Sequence, residues 1–133
     1  MVIFDSDIFI WFFRGDEGAR ELLNMDEDIA ISIITYMEII QGARDKGHLA
    51  YLLRFLRNEI VCRVLPTTEN ISYRAAIYVE DYVLSHNLQF GDALIAATAV
   101  EYGLSLYSSN EKHFRMIQGL NLRVFHPANR RQM

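Results

Sequence analysis

The sequence predicts an α/β fold in which helices cover both faces of a mostly parallel sheet of about five strands, a three-layer αβα sandwich. Two observations predict it. Short apolar runs alternate along the chain with segments of helical periodicity, which is typical of parallel strands joined by helices. The runs are almost entirely apolar, as expected for a sheet buried on both faces. A length of 133 residues suits one domain, predicted over residues 1–127 with a flexible C-terminal tail at 128–133.

Five short apolar runs are predicted to be the strands. They are Val2–Phe4, Ile29–Ile31, Val61–Leu65, Leu104–Tyr107 and Leu122–Val124. The last run alternates with polar residues, which favours an edge strand. Pro66 closes the third strand and Pro127 ends the ordered part, because proline cannot donate a hydrogen bond to a sheet ladder.

Helices are predicted between these strands from capping residues and helical spacing. The segments are Ser6 or Asp7 to Phe13, Ala19 to Asn24, Ser32 to about Ala43, Lys46 to Asn58, Thr68 or Asn70 to about Leu84, Asp92 to Tyr102, and Glu111 to Ile117. The sixth segment is apolar on most sides, so we expect it to be deeply packed. Gly103 is its natural end.

Composition and charge exclude several classes of protein. Hydrophobic residues make up 51% of the chain, which excludes a disordered protein. The formal net charge of −4 provides no positive field for packaging nucleic acid. Residues 1–28 alone carry a net charge of −6. An acidic site that uses the positive charge of a metal ion is compatible with this balance.

Cysteine content and hydropathy indicate the cellular compartment in which the protein is expected. A single cysteine, Cys62, excludes an internal disulfide framework, and we expect a buried structural thiol. The early apolar run Ile8–Phe13 is too short to span a membrane. No signal peptide or membrane segment is predicted, and the expected location is the cytoplasm.

Four polar residues stand where a parallel α/β sheet places its ligands, outside the carboxyl ends of the strands. Asp5 follows the first strand, Glu38 lies in the helix after the second, Asp92 begins the buried helix, and Asn110 follows the fourth strand. Each has a simpler interpretation. Asp5, Asp7 and Asp92 can serve as helix caps or first-turn acids, and Asn110 can be an ordinary loop asparagine.

The carboxylates are most informative as a set. Because Asp5, Glu38 and Asp92 would repel one another at close range, a divalent cation would stabilise them together. Oxygen ligands favour Mg²⁺, with Mn²⁺ as a substitute. Such a centre suits hydrolysis of phosphodiester bonds by a metal-activated water. The apolar neighbours of Glu38 predict a buried carboxylate that is paired or metal-bound, and Thr35 is placed to orient it, or else to bond its own helix.

Other polar and aromatic groups receive structural interpretations. The four histidines show no metal-type pairing, and we expect His113 to be structural or solvent-facing. The aromatic residues around Trp11 are expected in the core or at a dimer surface. The basic stretch from Lys112 to Arg131 is either ordinary solvated surface or a basic rim beside the acidic pocket.

Four sequence blocks in order resemble the PIN-domain family, and within it the VapC-type toxins of toxin–antitoxin pairs. The blocks are Val2–Ile8, Ser32–Glu38, Gly91–Ala99 and Ser109–Phe114. The resemblance implies a Mg²⁺-dependent ribonuclease directed at single-stranded RNA. It implies that Asp5, Glu38 and Asp92 are the catalytic and metal-binding acids.

The resemblance also implies supporting residues and partners. Ser6 would be a site hydroxyl beside Asp5, and Asn110 and His113 stand where some members have Asp, so that Asn110 would hold water or phosphate. Family members usually form homodimers and are neutralised by a small antitoxin, which often sends a basic side chain into the acidic pocket.

Two alternatives remain open from the residues. Phe4–Asp7 superficially resembles the start of haloacid dehalogenase-like phosphatases, in which Asp5 would be the nucleophile and Asp7 the acid. However, no glycine follows Asp7 and no second acid closely follows Asp92. The other alternative is a catalytically inactive PIN-like module whose acidic pocket binds a basic peptide.

Overall fold

The structure is a computed structural model that describes residues 1–128. Within them, five strands form one sheet in the order β3-β2-β1-β4-β5, and all neighbouring strands are parallel. The strands are β1 (Val2–Phe4), β2 (Ile29–Ser32), β3 (Cys62–Leu65), β4 (Ser105–Ser108) and β5 (Leu122–Val124). The predicted parallel sheet is therefore confirmed, with β5 at one edge.

The helices cover both faces of this sheet. They are α1 (Ser6–Phe13), α2 (Glu17–Leu23), α3 (Ile33–Gln41), α4 (Lys46–Arg54), α5 (Glu69–His86), α6 (Phe90–Tyr102) and α7 (Glu111–Phe114). A short π-helical turn, Phe55–Glu59, follows α4 where the spacing had predicted a continuous helix to Asn58. The three-layer αβα prediction is confirmed.

Capping residues set most helix ends as the sequence predicts. The Ser32 hydroxyl accepts a hydrogen bond from the Ile34 N–H, and the Thr68 hydroxyl accepts one from the Ile71 N–H. Gly103 ends α6 with φ of +66°, a left-handed conformation that glycine adopts without a Cβ clash. The prediction for α1 is wrong, because this helix is capped by Asp5 and not by Ser6 or Asp7.

Two apolar cores lie on opposite faces of the sheet. Side chains of one strand alternate between the faces, so Ile3 joins one core while Val2 and Phe4 join the other. The first core contains residues of α5, α6 and α7, and the second contains residues of α1 to α4. Phe9 is in the second core, and Trp11, Phe12 and Phe13 are packed partly buried against it.

The burial predictions are largely met. Helix α6 is deeply packed, with Ile95, Ala96 and Ala97 fully buried. Cys62 is half-buried rather than fully buried, and this burial raises the pKa of its thiol. None of the helices within residues 1–128 has the length and apolar character needed to cross a membrane. Apart from Ala128, the predicted tail lies outside the described residues.

Candidate active site

Asp5 occupies the centre of the edge formed by the carboxyl ends of the strands. It follows β1 directly, and its N–H still bonds to the Tyr107 carbonyl of β4. Asp5 Oδ1 accepts from the Ser6 N–H at 2.8 Å, and Oδ2 accepts from the Ser108 hydroxyl at 2.8 Å. The side chain is only 3% exposed. Two neighbouring parallel strands therefore fix one carboxylate between them.

Asp7 joins the cluster, although the sequence favoured a capping role for it. Its Oδ2 accepts from the Ser109 N–H at 2.7 Å and also from the Ser109 hydroxyl. Its Oδ1 is buried and has no hydrogen-bond partner in the structure. The capping prediction is wrong because Asp5 is the N-cap of α1, and Asp7, in the first turn, binds Ser109 of the loop after β4.

Asp92 pairs with a histidine that the sequence had left without a partner. Helix α6 begins at Phe90, two residues earlier than predicted, so Asp92 lies within its first turn. Asp92 Oδ2 is 3.0 Å from His113 Nδ1, which lies on α7. His113 is solvent-facing as expected, with its side chain about half exposed, but it does have a partner, because its ring lies against the Asp92 carboxylate.

Glu38 reaches the same cluster from α3, but it is exposed and not buried as its apolar neighbours predicted. The reason is the helical rotation: Tyr36 and Ile39 pack against the core, whereas Met37 and Glu38 face outward. The Ser6 side chain is close enough to the Glu38 carboxylate to act toward lowering its pKa. A Cβ atom on Gly91 would lie 3.7 Å from Glu38 Oε2, which places this carboxylate beside the first turn of α6.

Burial and mutual repulsion make this group of carboxylates unusual. Desolvation raises the pKa of Asp5 to about 7, with nearby Asp7 and Asp92 acting in the same direction against the hydrogen bonds from Ser108 and Ser6. Burial likewise raises the pKa of Asp7. Desolvation, then the Asp92 charge, raises the pKa of Glu38. A site that disfavours its own ionised form gains free energy from an added cation.

The pKa of Asp92 is also raised. Burial is the largest cause, and the neighbouring His113 acts in the opposite direction by charge and by hydrogen bonding. Asp92 and Asp7 also repel each other. Together with the effects on Asp5 and Glu38, these couplings show that the four carboxylates from β1, α1, α3 and α6 share one neighbourhood.

The predicted supporting residues have different outcomes. Thr35 is fully buried, and its Oγ1 has no hydrogen-bond partner. It orients neither Glu38 nor a helix carbonyl, so both interpretations are wrong; its hydroxyl faces the protein interior while Glu38 faces outward. Ser6 contacts both Asp5 and Glu38. Asn110 precedes α7, is exposed, and donates its backbone N–H to the Ser108 hydroxyl at 3.0 Å.

Four residues contact the predicted acids or each other without having been assigned to the site from the sequence. They are Asp7, Ser108, Ser109 and His113. A signal existed for the serines, which stand at the end of the predicted fourth strand. A signal existed for His113 too, because it is three residues from Asn110 and helical residues three apart share a face.

Two cavities adjoin the carboxylates. One, of about 730 Å³, is lined by Glu38 and Asp92 together with apolar residues that include Met37 and Phe90. The other, of about 460 Å³, is lined by Ser6 and Glu38 and extends along α1, α3 and α4. The site is thus open on two sides to molecules larger than water.

The residues present suit a divalent cation in their chemistry. They offer carboxylate oxygens, which hard cations prefer, and the Asp7 Oδ1 atom is a buried acceptor without a partner. In the part of the chain that the structure describes, no three His, Cys, Asp or Glu side chains are placed so that they could hold an ion as they stand. Asp5, Asp7 and Asp92 instead contact Ser108, Ser109 and His113 respectively.

Comparisons with known proteins agree with this architecture. Residues 2–120 match the model of the PIN domain family. Ribonuclease VapC10 of Mycobacterium tuberculosis is 37% identical over 98% of both chains. Ribonuclease VapC19 of the same organism is 32% identical over 90% of this chain and 97% of its own.

A solved structure gives the same result. A chain of a toxin–antitoxin complex from Klebsiella pneumoniae superimposes with a TM-score of 0.73 and 30% identity, covering 90% of this chain and 95% of that chain. The chain described here belongs to the PIN-domain family and, within it, groups with the VapC ribonucleases. This membership favours the ribonuclease interpretation over the haloacid dehalogenase-like phosphatase.

Proposed function

We propose that this PIN-domain protein is a divalent-cation-dependent endoribonuclease and the toxin of a VapBC-type toxin–antitoxin pair. One observation carries the proposal: Asp5, Asp7, Glu38 and Asp92 meet at the carboxyl edge of the sheet, and none of them is paired with a lysine or arginine within residues 1–128. Carboxylates without a lysine or arginine partner at an open edge suit a cation and a phosphodiester substrate. The identity to two ribonucleases supports the same assignment.

We assign the cation-holding role to Asp5, Glu38 and Asp92, and the cation to Mg²⁺ with Mn²⁺ as a substitute. When bound, such an ion lowers the pKa of a water and offsets negative charge on the phosphate oxygens. Asp5 caps α1 and Asp92 lies in the first turn of α6, whereas Glu38 lies on the outward face of α3. Two of the acids are therefore buried or partly buried and held by neighbouring side chains, and the third is exposed.

The surrounding hydrogen bonds hold the acids in place. Ser108 and the Ser6 N–H fix the two oxygens of Asp5, while His113 fixes one oxygen of Asp92. Partners of this kind set the orientation of metal-binding carboxylates. Asn110 stands next to Ser108 with an exposed amide, and we assign it to holding a water or a phosphate oxygen.

The proposed partners follow from the same charges. An antitoxin that inserts a basic side chain would pair with these carboxylates and compete with the cation. The toxin–antitoxin complex from Klebsiella pneumoniae, 30% identical in one chain, supports an antitoxin partner. We further propose a homodimer, and activity in the cytoplasm on RNA.

The test is cleavage by purified protein free of any co-expressed partner. Incubation with total RNA and Mg²⁺ should produce fragments with 5′-phosphate and 3′-hydroxyl ends, and sequencing of the ends would map them. Asp5→Asn should abolish cleavage with the circular-dichroism spectrum unchanged, and EDTA should abolish it reversibly. Cleavage that persists in EDTA would refute the role of the cation. Cation binding without cleavage of any RNA would favour the inactive binding module.

A further inference from the structure

The cavity of about 460 Å³ beside the acidic cluster has a second chemical character. Besides Ser6 and Glu38, it is lined by three basic side chains and by apolar walls. The basic residues are Arg14, Arg44 and His48, and the walls include Ile10, Phe13 and Leu52. Cationic donors therefore share a cavity with a carboxylate of the candidate active site.

We propose that Arg14, Arg44 and His48 form a phosphate anchor, a subsite that binds a phosphate of the RNA strand outside the bond that is cut. This inference rests on the proposed function, since it requires RNA to lie across the acidic edge. It assigns to these three residues a role in substrate positioning, because they contact the substrate away from the reacting phosphorus.

The two arginines are available for such a contact. Both are exposed, and within residues 1–128 neither forms an ion pair with a carboxylate. Arg14 ends α1, and its guanidinium lies 5.4 Å from the centre of the Trp11 ring. Arg44 lies in the loop between α3 and α4. Two guanidinium groups from separate elements can bind phosphate oxygens in the paired geometry that arginine favours.

His48 is held in a fixed orientation. Its ring Nδ1 accepts a hydrogen bond from the backbone N–H of Arg44 at 3.1 Å, and the backbone N–H of His48 donates to Asp45 Oδ1 at 2.8 Å. Its ring stacks on Tyr51 with an interplanar angle of 15°. Because Nδ1 is an acceptor, the neutral ring carries its proton on Nε2. That N–H is the ring's remaining polar group and is suited to a phosphate oxygen.

The overall charge explains why an anchor is needed. A net charge of −4 and an acidic site repel an RNA strand, so attraction has to come from local cations next to the site. The cavity therefore fits a polyanion that continues toward the acidic cluster.

RNA binding in EDTA tests the anchor without cleavage. The probe is a fluorescent single-stranded RNA oligonucleotide, measured by anisotropy at several salt concentrations. Arg14→Ala and Arg44→Ala should each weaken binding about tenfold, as expected for loss of a charged hydrogen bond. Each should also reduce the slope of log K against log salt by about 0.7, the value for one phosphate contact on a single strand.

Matched variants make the result specific. Arg44→Lys should keep the salt slope but lose part of the affinity, because lysine lacks the paired donors. Arg20→Ala, which removes an exposed arginine from the opposite edge of the sheet, should leave RNA binding unchanged. His48→Ala should weaken binding less than either arginine variant, since it removes one neutral donor.

Several outcomes would overturn the anchor. The first is that wild-type protein binds no RNA. The second is that the Arg14→Ala and Arg44→Ala variants bind RNA as tightly as the Arg20→Ala variant does. The third is that heptaglutamate displaces the labelled RNA as effectively as unlabelled RNA of equal charge. Failure of the proposed function looks different: wild-type protein would bind RNA through these arginines and yet cleave none with Mg²⁺. Cleavage that does not depend on Arg14 or Arg44 would keep the function and remove the anchor.

Discussion

The two edges of the sheet are both rich in acids, and only one has the properties of an active site. At the amino ends of the strands, a cavity of about 760 Å³ is lined by Asp16, Glu17, Glu59 and the run Asp26–Asp28. Most of these acids are exposed, and buried Asp16 caps α2 through the Ala19 N–H at 2.9 Å. At the carboxyl ends, buried Asp5 and Asp7 approach other acids.

This difference shows that neither cavity size nor the number of acids identifies the site. Exposed carboxylates remain hydrated and ionised at little cost, whereas buried neighbouring carboxylates disfavour ionisation. The net charge of −6 in residues 1–28 contains acids from both edges. Convergence and desolvation at the carboxyl edge therefore carry the functional information.

The largest expected contrast is in catalysis. Asp92→Asn should reduce RNA cleavage by at least about 10³-fold, because it removes a charge from the proposed cation site. Glu27→Gln, a matched change at the amino edge, should leave the rate unchanged. Initial rates on one RNA substrate under Mg²⁺ measure both. Equal losses in the two variants would remove the distinction between the edges.

The second contrast is in the pH dependence of stability. The pKa of Asp5 is about 7 in the folded protein against an ordinary value of 3.8, so the folded state binds more protons than the unfolded state between these values. The contribution of Asp5 to the stability of the cation-free protein is therefore fully present below about pH 4. This contribution is lost as the pH rises through about 7.

Urea unfolding in EDTA at pH 5 and pH 8 measures this effect. Asp5→Asn should be more stable than wild-type protein at pH 8, by an amount on the order of 3 kcal/mol, with a much smaller gain at pH 5. Glu27→Gln should follow the wild-type curve. A wild-type protein that is as stable as Asp5→Asn at pH 8 would contradict the proposed desolvation of Asp5.

The third contrast is in cation binding. Mg²⁺ or Mn²⁺ at about 100 times its dissociation constant should stabilise wild-type protein by about 2.7 kcal/mol, seen as a higher thermal midpoint. Asp92→Asn should lose this stabilisation, and Asp28→Asn at the amino edge should keep it. Stabilisation that depends on Asp28 would move the cation to the other edge.

The smallest contrast concerns the residue that holds Asp92. His113→Ala should weaken Mn²⁺ binding about tenfold, the range found for partners that orient metal ligands. Isothermal titration calorimetry reports this affinity directly, which loss of activity alone would not. Arg115→Ala is the control, because it removes an exposed side chain immediately after α7. A Mn²⁺ affinity that is equal in the His113→Ala variant and the wild-type protein would show that His113 does not orient Asp92 for cation binding.

Sequence alone predicts the fold and the positions of three acids because these depend on local pattern. Apolar runs mark buried parallel strands, and residues at their carboxyl ends meet at one edge by topology. Side-chain contacts between residues that follow β1 and residues at the end of β4 do not depend on local pattern. Ser109 and Asp7 are 102 residues apart, and no local pattern encodes their contact.

Side-chain direction sets the other limit. Glu38 has apolar neighbours in sequence, yet helical rotation sends it outward while Ile39 turns to the core. Thr35 lies on the face of α3 that spacing assigns to Glu38, but its hydroxyl is enclosed by apolar packing. Both outcomes depend on tertiary contacts that composition does not specify.

The hydrogen bond between Asp5 and Ser108 joins residues 103 positions apart. During synthesis, the first aspartate emerges long before the strand that completes its surroundings, because domains fold as their chains leave the ribosome. A nascent copy therefore lacks the finished centre until Ser108 has been translated.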